Sequence, residues 1–159
     1  MQISAVRPGY ELWHPNRATE NARTARIAVI ALLLVSAAIS FLIIIGGWSK
    51  LEGGKMLALA YVLTYAVIAW RVWGWSRGVL PVTAAIATIL AIFCAMAAPG
   101  WFARTRDGLS SPLLPEEMLG LLTVALIPIQ IVLVVLATIA FNQDWNVEEE
   151  RPVGEGPPE

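Results

Sequence analysis

Charge is what this chain lacks. Charged residues make up 14% of its 159 residues, against about 25% in an average soluble domain. None lies in the central part of four long apolar runs. Proton relays, ion-coupled transport and voltage sensing nearly always use ionisable side chains within the membrane, so the sequence argues against all three. A formal net charge of −1 provides no basic field for nucleic acid. One cysteine, Cys94, excludes an intrachain disulfide and reads as a small apolar packing residue. The lone histidine, His14, precedes the first run while Cys94 lies near the far end of the third, so the two are not expected to share a metal. Serine, cysteine and histidine never come together as a nucleophilic set, no Gly-rich phosphate loop follows a strand, and no segment has the alternation of a strand. No catalytic, cofactor-binding or metal-ligating residue is assigned.

What the chain has is apolar length. Apolar residues are 57% of the total, concentrated in runs over 27–45, 56–73, 79–98 and 119–141. At 1.5 Å per helical residue each run covers about 27–34 Å, which matches a hydrocarbon core of about 30 Å. Helices apolar on all sides belong in lipid or deep inside a large protein, and this chain is too short to bury four of them in water. The expected fold class is an all-α membrane protein, four transmembrane helices in an up-down-up-down bundle.

Punctuation divides the rest. Residues 1–26 read as an N-terminal arm with a helical extension starting after Asn16 and running straight into the first span, with Glu20 and Arg23 placed to pair. This arm is too long and too mixed for the head of a cleavable signal, so the first run is expected to stay as an anchor. Gly46-Gly47 stops the first span, Gly74–Gly78 makes a tight turn between the second and third, and Pro99-Gly100-Trp101 stops the third. Pro115 reads as the first residue of the fourth helix, with Glu116 and Glu117 in its first turn. Residues 142–159 are acidic and rich in proline and glycine, and read as a disordered tail.

All seven tryptophans (13, 48, 70, 73, 75, 101 and 145) lie at or beyond the ends of the runs, where amphipathic rings favour the interface. Arg7, Arg17, Arg23, Arg26, Arg71, Arg77 and Arg151 share the side of the termini, against Lys50, Lys55, Arg104 and Arg106 opposite. Seven against four places both termini in the cytoplasm.

At the midpoints of the runs stand Ser36, Thr64, Thr88 and Gln130, one polar side chain per helix, with Tyr61 and Tyr65 flanking Thr64. Such groups hydrogen-bond across helices in lipid, so a mid-membrane polar layer is expected, and Gln130 should face protein. Pro128 should kink the fourth span and free the carbonyl near Val124. On the third span Thr83, Ala87, Ala91 and Ala95 form a small-residue ridge for a neighbouring helix, within the chain or in a second subunit. Glu52, Arg104, Arg106, Asp107, Glu116 and Glu117 share the far face and could form a polar patch.

The layout resembles that of small four-span bacterial membrane proteins, the DoxX-like group among them, without a diagnostic motif of that group. Two segments carry a nearer likeness to four-span proteins of GC-rich bacteria: Met96–Phe102 (MAAPGWF) and Phe141–Pro152 (FNQDWNVEEERP). The resemblance implies membrane class and adds no activity or site residue. The expectation for function is a non-enzymatic accessory, scaffold or assembly subunit of a membrane complex, in the bacterial inner membrane, with lipids as surroundings and a protein partner or self-association through the third span. The alternative is a small homo-oligomeric transporter or channel for a neutral solute along the polar layer. A membrane-embedded enzyme drawing its acid or base from the far-face patch is a third reading.

Overall fold

A computed structural model describes residues 6–51, 53–103 and 113–154. Glu52, Arg104, Arg106 and Asp107, proposed for the far-face patch, lie outside the described residues, as does the tail from 155 onward. The chain is helical over the four runs: α2 (Glu20–Gly46), α3 (Gly54–Trp73), α4 (Leu80–Phe102) and α5 (Glu116–Phe141). All four are long and apolar enough to cross a membrane. Only 22–33% of each apolar window is buried, so most of every span faces outward as lipid-facing surface. This is the architecture of a multi-pass membrane protein.

The helices exceed the apolar runs because their end turns are interfacial, and two expected breaks moved. A short α1 (Pro15–Ala18) precedes α2, and Thr19, extended at ψ 143°, separates them. The Thr19 hydroxyl accepts from the Ala22 N–H at 3.3 Å and donates to the Asn16 carbonyl at 2.9 Å, so Thr19 is the cap and the extension is not continuous. Glu20 and Arg23 form no ion pair among the described residues. The second break, Pro99, does not stop α4, which runs on to Phe102. Buried Trp101 anchors that last turn, lying where a Cβ on Gly47 would come within 2.7 Å of its ring. Pro128 is likewise carried inside an unbroken α5, and Pro115 sits at the cap of α5 rather than within it.

Packing follows a seven-residue pattern. On α5 the buried positions are Leu119, Leu126, Leu133 and Ala140, interleaved with Thr123, Gln130 and Ala137. That 3.5-residue period is the one that keeps a seam facing its neighbours along a whole helix. α5 packs on α4 most extensively, then on α2, and α2 packs on α3. No comparable contact joins α3 to α4. The four helices thus form a bundle with three closed seams and one open.

The termini form a cap that the sequence reading missed. Tyr10–Trp13 (β1) pairs antiparallel with Glu149–Pro152 (β2), Tyr10 opposite Pro152 and Trp13 opposite Glu149. Residues 142–154 are therefore ordered, and the expectations of a disordered tail over these residues and of a chain without strands are both corrected. Composition misled because neither segment can fold alone; each supplies the other's backbone partners and charges. Arg151 pairs with Glu11 at 2.6 Å, Arg7 with Glu150 at 3.3 Å and His14 with Glu148 at 3.3 Å.

Beneath the ribbon, Trp145 is fully buried and meets the Trp75 ring edge-on at 5.3 Å. Arg17 Nε donates to the Trp145 carbonyl at 2.8 Å, and Asn16 donates to the Asp144 carbonyl at 3.0 Å. From the turn after α3, Arg77 pairs with Asp144 at 2.6 Å and donates to the Phe141 carbonyl at 2.7 Å. That turn is a Schellman motif, with Ser76 N–H on the Arg71 carbonyl at 3.1 Å and Trp75 N–H on the Val72 carbonyl at 3.0 Å. Its left-handed position, usually glycine, is Trp75 at φ 60°. The backbone cost of about 1–2 kcal/mol is met by the ring's contacts with Trp145.

Trp145→Ala should therefore cost about 3–5 kcal/mol and loosen both termini together. Cleavage by a glutamate-specific protease after Glu11 and Glu149 is the measurement. Unchanged cleavage would mean that the ribbon stands without its plug.

Candidate functional site

The first candidate is the layer at mid-depth. Gln130 on α5 is fully buried and uses both ends of its amide. Its Nε2 donates to Ser36 Oγ on α2 at 2.9 Å, and its Oε1 accepts from the Tyr65 hydroxyl on α3 at 2.6 Å. Ser36 is fully buried as well and Tyr65 is 1% exposed. Three helices are thereby tied at one level, in a dry interior where an unpaired amide would cost about 1–3 kcal/mol.

Two of the four expected members meet, and two do not. Thr64 is half-buried and has no part in the network; its neighbour Tyr65 takes that place. One residue along a helix is a rotation of about 100°, so the choice between 64 and 65 decides which of them faces inward. Thr88 is exposed and donates to the Ala84 carbonyl of its own helix at 2.8 Å, the local bond that lets threonine face lipid. The clue to Tyr65 was its chemistry, since a phenol at mid-span needs an acceptor.

The small-residue ridge is likewise half realised. Thr83 and Ala87 are fully buried, Ala91 is half-buried and Ala95 is exposed. A strict four-residue row drifts about 40° per step around a 3.6-residue helix. The buried stripe of α4 instead leaves Ala87 for Leu90, Cys94 and Ala98.

The second candidate was not legible beforehand. Between the polar layer and the far end of the bundle lies a cavity of about 190 Å³ walled by all four spans. α2 contributes Ser40 and Ile43, α3 Leu57 and Tyr61, α4 Phe93 and Cys94, and α5 Thr123 and Leu126. Leu57 is 51% and Phe93 42% exposed, so the mouth lies along the open α3–α4 seam. Across the mouth the Tyr61 ring meets Phe93 edge-on at 6.3 Å, and it meets Tyr65 in the same manner at 6.3 Å. Cys94 is buried in this wall, while His14 is at the capped end beside Glu148, so the two are indeed far apart.

The wall is apolar but for Ser40, Tyr61, Cys94 and Thr123. Thr123 donates to the Leu119 carbonyl at 2.8 Å. Small-molecule sites usually span about 300–1,000 Å³ and place several polar groups toward the ligand. This cavity is smaller and nearly without such groups. It suits one or two protruding apolar side chains better than a whole polar substrate.

The far end is closed by close packing. Gly46 and Gly47 lie so near Leu114, Leu119 and Trp101 that a Cβ on either would fall within 3.0 Å of a side chain. Lys50 and Glu116 pair there at 3.6 Å with side chains only 13% and 12% exposed. Of the expected far-face patch, Glu116 is thus spent on an ion pair, and Glu117 is exposed.

Comparison with protein-family models, with curated proteins and with solved structures finds no match to this chain. The two pieces of the layer can be tested against each other. Tyr65→Phe should destabilise the bundle by about 1–2 kcal/mol, and Tyr65→Phe with Gln130→Leu by less than the sum of the singles. Additive losses in mixed-micelle unfolding would show that the phenol and the amide do not interact.

Proposed function

We propose that this chain is a non-enzymatic accessory subunit, a scaffold or assembly factor, of a bacterial inner-membrane complex, and that it receives a partner's transmembrane helix along the α3–α4 seam. One observation carries the reading: three seams of the bundle are closed, whereas the fourth is open over a cavity lined by every span. Leu57 and Tyr61 on α3, with Phe93 and Ala97 on α4, line it with apolar and aromatic side chains. In lipid, helices associate by shape and van der Waals packing, so a groove with a hollow in its floor is the feature a protruding partner side chain would use.

The polar layer weighs on the same side. Gln130, Tyr65 and Ser36 satisfy one another, which leaves little to guide a neutral solute and favours a fastening over a conduit. Up-down-up-down threading with both termini in the cytoplasm belongs to this reading, supported by the seven-to-four excess of basic residues on the side of the termini.

A photo-crosslinking residue at Leu57 or Phe93, in the native host, should yield one protein adduct of defined mass. The same probe at Leu34 or Ile131, outward positions on α2 and α5, should yield lipid adducts alone. Lipid adducts at all four positions would refute the docking seam. Orientation has its own test in a Cys94→Ala background. An impermeant maleimide on intact cells should label Ser49→Cys and spare Gly78→Cys, and the opposite pattern overturns the assignment.

A further inference from the structure

On the capped side, where α2 enters its apolar run, the Arg26 guanidinium lies 4.7 Å from the centre of the Trp73 ring and 4.4 Å from that of Trp75. Its Nε is buried and has no hydrogen-bond partner. On this side of the bundle four carboxylates are engaged with other cations: Glu11 with Arg151, Asp144 with Arg77, Glu148 with His14 and Glu150 with Arg7. Among the described residues Arg26 and Arg71, like Arg17 and Arg23, have no carboxylate partner. Arg71 is exposed and lines a hollow of about 390 Å³ with Trp70, Trp73 and Ser76. The Trp73 ring therefore belongs both to the wall of this hollow and to the stack on Arg26.

Stacking satisfies the faces of a guanidinium and leaves its N–H edge for an acceptor in its plane. Phosphate, like carboxylate, matches that edge with two parallel bonds. Trp70 and Trp73 are 71% and 63% exposed at the end of α3, the level at which indole rings meet headgroups. Cations at that level without protein anions are neutralised from the leaflet. We propose that Arg26, Arg71, Trp70 and Trp73 bind the phosphate of an anionic phospholipid in the leaflet on the side of the termini. The indoles define the depth and the two guanidiniums supply the charge that a zwitterionic headgroup does not need. The strained Trp75 backbone serves the same end, because the turn it closes holds its ring over Arg26.

The full-length protein in detergent, examined by native mass spectrometry with phosphatidylglycerol or phosphatidylcholine added, tests this. The wild type should retain phosphatidylglycerol about tenfold better, and each of Arg26→Gln and Arg71→Gln should reduce that preference about fivefold. Should Arg26→Gln loosen the cap, Arg71→Gln still decides, because Arg71 is exposed and outside the stack. Equal retention of the two lipids by the wild type, or undiminished preference in Arg71→Gln, overturns the proposal. Millimolar inorganic phosphate should leave lipid retention unchanged; displacement of the lipid by it would show a site for free phosphate and overturn the assignment to lipid.

Discussion

A primary amide among apolar helices has to find a donor and an acceptor, and in this bundle it finds them on two different neighbours. Gln130 reaches Ser36 on α2 and Tyr65 on α3, so the rotation of three helices about their axes is coupled at one depth. Neither bond is strong in net terms, about 0.6–2 kcal/mol each. Their weight comes from the alternative, because no water stands ready to replace a lost partner. The seven-residue stripe on α5 puts Gln130 in line with Thr123 and Ala137, and the same stripe defines where α4 packs.

The open seam follows from the same arrangement. α4 is bound to the rest through α5 and takes no part in the amide network, while α3 is bound through α2 and through Tyr65. The two outer helices meet little beyond the edge-on rings of Tyr61 and Phe93. The cavity beneath those rings is the volume that a closed bundle would have filled with side chains. At the other end the termini do what the spans cannot, tying α2, α5 and the α3–α4 turn together through Trp145, Arg77 and the paired strands.

How far the chain could be read depended on the range of the forces involved. The spans were legible because apolar length is a local property of each segment. Gln130 and Ser36 were legible because polarity at mid-span is conspicuous, whereas Tyr65 against Thr64 turned on helix phase. The ridge reading erred for the same reason, since a four-residue row passes out of the interface by Ala95. The cap left few local marks: Tyr10–Trp13 and Glu149–Pro152 are four-residue strands that exist only as a pair. An acidic tail looks unfoldable until Arg7 and Arg77, which face Glu150 and Asp144, are known.

By itself, then, the amino-acid order determined four helices of membrane-crossing length, their tryptophan-marked ends and a buried amide in need of partners, all of which follow from side-chain polarity set against the dielectric of the surroundings. Only the tertiary structure decided which face of each helix turned inward, which seam stayed open, and that the two termini fold on each other. Those outcomes depend on contacts between residues far apart in the chain, from Tyr65 with Gln130 to Glu11 with Arg151, and no local pattern encodes a partner at such distances.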